Sequence, residues 1–220
     1  PKLSYDPIKD FKPIANVANV ANVIAVNPNF PAKDYKEFLA VLKANPGKYS
    51  YASSGTCGFG HMLGEQFKVS TKTFMVHIPY RGAGPALNDV LAGQVPIMVD
   101  NLPSSMPYIK AGKLRPIVVA WNKRVEGLPD VPTFGEMGLK EPNDPAWYGL
   151  VAPAGTPDDV INKLNAAVVK ALQDKAFVQR LQAAGAEPSG NTPAQHAAEI
   201  KKEFDKMKNL VKVQNIKLEQ

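Results

Sequence analysis

Between Ile14 and Trp121 short apolar β-type runs alternate with helix-period segments, and most junctions are turns of a few residues. The runs are Ile14–Val20, Asn22–Val26, Tyr49–Ser53, Phe74–Tyr80, Val95–Val99 and Leu114–Trp121. Helical patterns open at Phe30–Asp34, cover His61 to Ser70 and Ala86 to Ala92, and run from Pro103 to Ala111. Asn45-Pro46-Gly47, Gly93 and Gly112 stop helices, and Pro85 is expected at the first position of one. This order leaves few topologies: an α/β fold with an open, mainly parallel sheet and helices on both faces. In such sheets ligands bind beyond the carboxyl ends of the strands. Three turns fall there, Ser53–Gly58, Tyr80–Gly84 and Asp100-Asn101.

Asn122 to Pro145 is rich in Pro, Gly and charge and reads as a boundary or hinge, with a short helix at Phe134–Met137. Trp147–Ala152 is a strand. Thr156 is expected to cap a helix with Pro157 at its first position and a stripe of Ile161, Leu164, Ala167, Val168, Ala171 and Leu172. Phe177, Val178 and Leu181 carry a further helix to Gly185. Thr192-Pro193 opens the last helix, whose expected inward face is Ala197, Ile200, Phe204, Met207, Leu210 and Val211.

The 220 residues suffice for one large domain or two small ones, and no apolar run approaches the length of a membrane helix. A net charge of +6 comes from scattered lysines and a denser run at Lys201, Lys202, Lys206, Lys208, Lys212 and Lys217. Glu199, Glu203 and Asp205 interleave that run at helical spacing, which describes a solvated face; without alternating aromatics it is no nucleic-acid stripe. The single Cys57 excludes an internal disulfide. A start at Pro1 with no leader is read as a processed or partial chain.

The turn after Tyr49–Ser53 points backbone N–H groups and the hydroxyls of Ser53, Ser54 and Thr56 at one spot over a helix start, which suits a small anion. The bland reading is a helix cap. His61 lies just past the turn, within reach of a ligand, and His77, inside a strand, reads as structural. Arg81 is either a charged clamp or an exposed turn residue. His61, His77 and His196 lack metal-ligand spacing, and no nucleotide loop or nucleophile elbow occurs. No cofactor is called for. The features are those of a binder; the rivals are a cleft enzyme using Cys57, His61 and Asp100, or the ligand-sensing domain of a regulator.

Seven segments carry a family resemblance. They are Tyr5-Asp6-Pro7 with Lys9-Asp10-Phe11 and Pro13; Tyr51–Gly55; Val76–Gly82; Gly84–Val95; Asp100–Ser105; Leu128–Thr133; and Gly149–Pro157. In this order they resemble the Bug (TctC-type) periplasmic solute-binding proteins. The resemblance implies a two-domain periplasmic-binding-protein type II fold with a hinge of crossover strands. It implies a partial first domain of 1–19 and 146–220, its N-terminal part absent, and a second domain of 20–145. It also implies capture of a small mono-, di- or tricarboxylate, aromatic acids included, and delivery to a tripartite tricarboxylate transporter permease or a sensor. The protein would be periplasmic, monomeric and without enzymatic activity or nucleic acid. By that resemblance Ser53, Ser54, Gly55 and Thr56 form the carboxylate loop, Tyr80, Arg81, Gly82 and Ala83 the adjacent loop, and Asp100 the acidic position at the cleft. Cys57-Gly58-Phe59 departs from the family pattern.

Overall fold

The computed structural model describes residues 4–213. The strands in chain order are β1 (Phe11–Val20), β2 (Asn22–Val26), β3 (Ser50–Ser53), β4 (Val76–Pro79), β5 (Ile97–Asn101), β6 (Arg115–Ala120), β7 (Ala146–Pro153) and β8 (Ala186–Pro188). The helices are α1 (Tyr35–Ala44), α2 (Phe59–Thr71), α3 (Ala83–Leu91), α4 (Leu102–Lys110), α5 (Asp158–Ala171), α6 (Lys175–Ala183) and α7 (Pro193–Val213). Two compact units result, one of the residues up to Val20 and from Trp147 onward, the other Ala21–Ala146.

The Ala21–Ala146 unit is built on a five-stranded sheet in the order β4-β3-β5-β2-β6. β3 pairs in parallel with β4 and β5, whereas β2 is antiparallel to both β5 and β6. Four strands therefore point one way, and β2 runs against them from within the sheet. Alternation along each strand separates two cores. Val23, Ala25, Ala52 and Met98 face α3 and α4, where Leu87, Val90, Leu102 and Met106 close over them. Ile24, Val26, Tyr51 and Val99 face α1 and α2, where Phe38, Leu42, Leu63 and Phe67 pack. Helices thus cover both faces, and the strands are apolar on both sides, as that arrangement requires.

The other unit has a three-stranded sheet, β7-β1-β8, with β1 and β8 antiparallel. Its core of buried residues is small: Ile14, Ala15, Ala152 and Ile161, with Val168 against them. Polar ties supplement it. The Asn165 amide donates to the Ile14 and Asn191 carbonyls at 2.8 Å each. Buried His196 meets Trp147 edge-on at 5.0 Å.

Several local expectations are corrected. α2 begins at Phe59 rather than His61, with Gly58 at its cap. α3 begins at Ala83, so Pro85 is its third residue, still within the turn whose N–H groups lack intrahelical partners. Pro157, not Thr156, caps α5. Phe134–Met137 is a turn, not a helix: Thr133 and Glu136 exchange hydrogen bonds of 2.8 and 3.1 Å, and Gly138, at φ 78°, ends it at once. The apolar stripe of α5 is mostly exposed beyond Ile161, and Ala197 and Phe204 on α7 face solvent, because this unit offers three strands to cover and little apolar area to bury against. The lysine run on α7 is solvated, with Lys201 paired to Asp205 at 2.8 Å; Lys217 lies outside the described residues.

Candidate functional site

At the carboxyl end of β3 the chain turns through Ser54–Gly58 and enters α2; at the end of β4 it turns through Tyr80–Gly82 into α3. The two turns are laced together. The Tyr80 N–H donates to the Ser53 carbonyl and the Gly82 N–H to the Ser54 carbonyl, both at 3.0 Å. Gly55 and Gly82 have φ of 156° and 110°, so each takes a backbone path that side chains rarely follow. Cys57 takes φ 59° without being glycine.

The turn is buttressed from beneath. Seryl Oγ of Ser53 lies 2.7 Å from His77 Nε2. The Cys57 N–H donates to His61 Nδ1 at 2.9 Å. The two imidazoles stack, with centroids 3.8 Å apart and planes 9° from parallel. One histidine thus holds the start of the turn and the other its end. Behind them Glu65 accepts from the Tyr51 hydroxyl at 2.8 Å and from Lys68 at 2.7 and 2.8 Å. Burial, the neighbouring His61 and Lys68 push His77 down to about 3. Burial also lowers His61, against the pull of Glu65. Both rings are therefore neutral at pH 7, which the acceptor role of His61 Nδ1 requires.

The predicted site residues divide by accessibility. Thr56 and Arg81 are exposed, while Ser54, Gly55, Tyr80, Gly82 and Ala83 are half-buried. Ser53 is wholly buried, and its hydroxyl is engaged by His77. His61 is buried as well and supports the turn from inside. The Tyr80 hydroxyl donates to Asp89 at 2.6 Å, which turns it onto α3; burial and Asp89 push it up to about 12. Asp100 is brought to the same sheet edge but on the other face, buried, where the Ser105 hydroxyl donates to it at 2.8 Å. Burial raises its carboxyl to about 6.

Three helices start at this edge, following β3, β4 and β5, and among the described residues none has a side-chain cap hydrogen bond or an acid in its first turn. Elsewhere α1 and α6 are capped by Asp34 and Asp174. First-turn N–H groups without an internal cap, at the positive ends of helix dipoles, attract an anion. Among the described residues no group of three or more His, Cys, Asp or Glu is placed to hold a metal ion.

The family model for TctC, the tripartite tricarboxylate transporter family receptor, matches residues 1–216. The chain belongs to the TctC family. Protein BugT of Bordetella pertussis is 32% identical over 99% of this chain and 67% of its own length. A structure described as a periplasmic transporter is 57% identical, with a TM-score of 0.95 over 99% of this chain and 73% of that one. Rpa4515 of R. palustris, solved with adipate, is 31% identical, with a TM-score of 0.92 over 98% of this chain and 72% of that one. The chain thus spans about two thirds of the length of BugT. As a TctC chain it has the α/β binding-protein fold that the resemblance implied, with sheets that are mixed rather than mainly parallel throughout.

Sequence reasoning found the two turns and read His77 as structural, but it did not single out the contact of His77 with Ser53 or the buried Asn22. Tyr51 and His77 are register partners on adjacent parallel strands, so alternation in that register places His77 on the face of Tyr51 and Ser53.

Proposed function

We propose that the interlocked turns 54–57 and 80–83 seat a carboxylate group, and that the protein is an extracytoplasmic receptor that captures a small carboxylate. The observation that carries this is the pair of laced turns opening onto the acid-free, uncapped starts of α2 and α3. Backbone N–H groups there, with the Ser54 and Thr56 hydroxyls, hold the carboxylate, and exposed Arg81 adds positive field. A relative of the same fold solved with adipate supports this ligand class. The two units are then the receptor's domains, the one containing β1 being partial. The receptor is periplasmic and monomeric, and it hands its ligand to the membrane permease of a tripartite tricarboxylate transporter. No nucleic acid is involved.

The chain is a binder rather than an enzyme. The Ser53–His77 pair has the 2.7 Å spacing of a nucleophile and its base, but Ser53 is wholly buried and His77 is too weak a base.

The test is a thermal-shift screen of mono-, di- and tricarboxylates on the full-length protein, followed by calorimetry of any hit. A micromolar ligand at a hundredfold excess over Kd adds about 2.7 kcal/mol, a rise of several degrees. Ser54→Asp, which sets a like charge at the seat, is expected to weaken binding at least tenfold with the unliganded melting point unchanged. If no acid shifts the melting temperature, or Ser54→Asp binds as wild type does, the reading fails.

A further inference from the structure

Asn22 opens β2, an interior strand of the five-stranded sheet flanked by β5 and β6. Its register partners are Asn101 on β5 and Ala120 on β6, the last residues of those strands. It therefore stands at the sheet edge where the uncapped helices begin. Alternation puts its side chain with Ile24, Val99 and Ala120, on the face covered by α2. The first turn of α2 presses on that edge, since a Cβ on Gly60 would strike the Val99 carbonyl.

Asn22 has no exposed surface, and among the described residues neither its Oδ1 nor its Nδ2 has a hydrogen-bond partner. A buried amide left unpaired at both ends is costly to folding, and asparagine is a poor strand residue. Ile24 and Val26, next on the same face, are the aliphatic residues this environment favours. An unpaired amide at the ligand edge of an otherwise apolar strand is explained by a partner that arrives with the ligand.

The chemistry of the amide selects that partner. It presents a donor and an acceptor side by side. A carboxylate oxygen would satisfy Nδ2 alone and meet Oδ1 with like charge. A hydroxyl donates and accepts, so it satisfies both. β3 and β2 are separated by β5 alone, which places Asn22 about 10 Å from the turn that follows β3, across the width of a small acid.

We propose that Asn22 is a specificity-determining residue whose side-chain amide hydrogen-bonds the hydroxyl of a small hydroxycarboxylate seated on the turns 54–57 and 80–83. This rests on the carboxylate reading above.

The experiment is calorimetry on the full-length protein with two matched pairs, malate against succinate and lactate against propionate, for wild type, Asn22→Leu and Asn22→Ala. Wild type is expected to favour the hydroxylated member of a pair by about tenfold or more. Both variants should lose that preference while keeping affinity for the plain acid. Their unliganded melting points separate loss of recognition from loss of fold, and Asn22→Leu, which removes the unpaired amide, should melt no lower than wild type. Three results overturn the proposal: no preference in wild type, a preference that survives in both variants, or binding confined to plain acids. An ordered water as the only partner of the amide would give the first or the second of these. Failure of wild type to bind any carboxylate, in these pairs or in the wider screen, sinks the binding reading itself and this inference with it. Carboxylate binding with the discrimination unchanged by substitution sinks this inference alone.

Discussion

His61 and His77 are neutral because burial disfavours their charged forms and because two imidazolium rings cannot stack at 3.8 Å. Held below their ordinary value, they bind protons less readily in the folded chain than in the unfolded one. Their contribution to stability is complete above about 6.5 and drains away as the pH falls from there toward about 3. Protonated His61 would also turn Nδ1 from acceptor to donor against the Cys57 N–H. Urea melts from pH 7 to pH 4 should show this loss, and His77→Gln should shrink it by about 2 kcal/mol. An unchanged pH slope in that variant would remove the histidines from the explanation. Asp100 behaves oppositely. Its raised carboxyl costs the fold stability as pH rises from about 3.8, and the penalty is complete above about 6, so Asp100→Asn is expected to raise the melting point at pH 8 and leave it unmoved at pH 3.5.

At the scale of elements, α2 carries the site because glycine lets it approach the sheet. Gly60 lies against β5, and Gly64 against the Tyr51 ring, 2.5 Å from where its Cβ would stand. Gly60→Ala must push the helix start off the Val99 carbonyl, at a cost of about 2–4 kcal/mol, and it displaces the first-turn N–H groups with it. Chemical denaturation within 0.5 kcal/mol of wild type would contradict this packing. The strands and helices of this unit were legible in sequence because hydrophobic period and Gly/Pro punctuation agree at nearly every junction. The direction of β2 was not, because a strand's period is the same whichever way it runs. β8 carries three residues, too few for a pattern. The turns 54–57 and 80–82 were legible from their residue types. The inward roles of Ser53, His61, Tyr80 and Asp100 depend on register and helix placement, which single residues do not announce.

For the molecule as a whole, the two units bury very different cores. The Ala21–Ala146 unit has two clusters of aliphatic and aromatic side chains. In the other unit Ile14, Ala15, Ala152 and Ile161 form a small core beside the exposed Tyr148, Leu150, Val151, Leu164 and Phe204. Local opening follows buried apolar contact. Amide hydrogen exchange of this chain should therefore show β2, β3 and β5 as its slowest segments, with α6 and α7 exchanging faster. Equal protection across both units would refute that ranking. The apolar stripes read from α5 and α7 were sound as patterns, but a periodic stripe states what a helix can bury and not whether a partner layer is present.

The reversed strand also governs how this unit can assemble. β2 is the first of its strands to be synthesised, yet its ladder partners, β5 and β6, come only after three helices have followed it. The β3–α2–β4 segment can pair locally, whereas β2 must wait and then wedge between two late arrivals. Such long-range closure raises contact order and slows folding. Refolding should accordingly show β3 and β4 protected before β2, with the final, slow phase belonging to the insertion of the strand that bears Asn22.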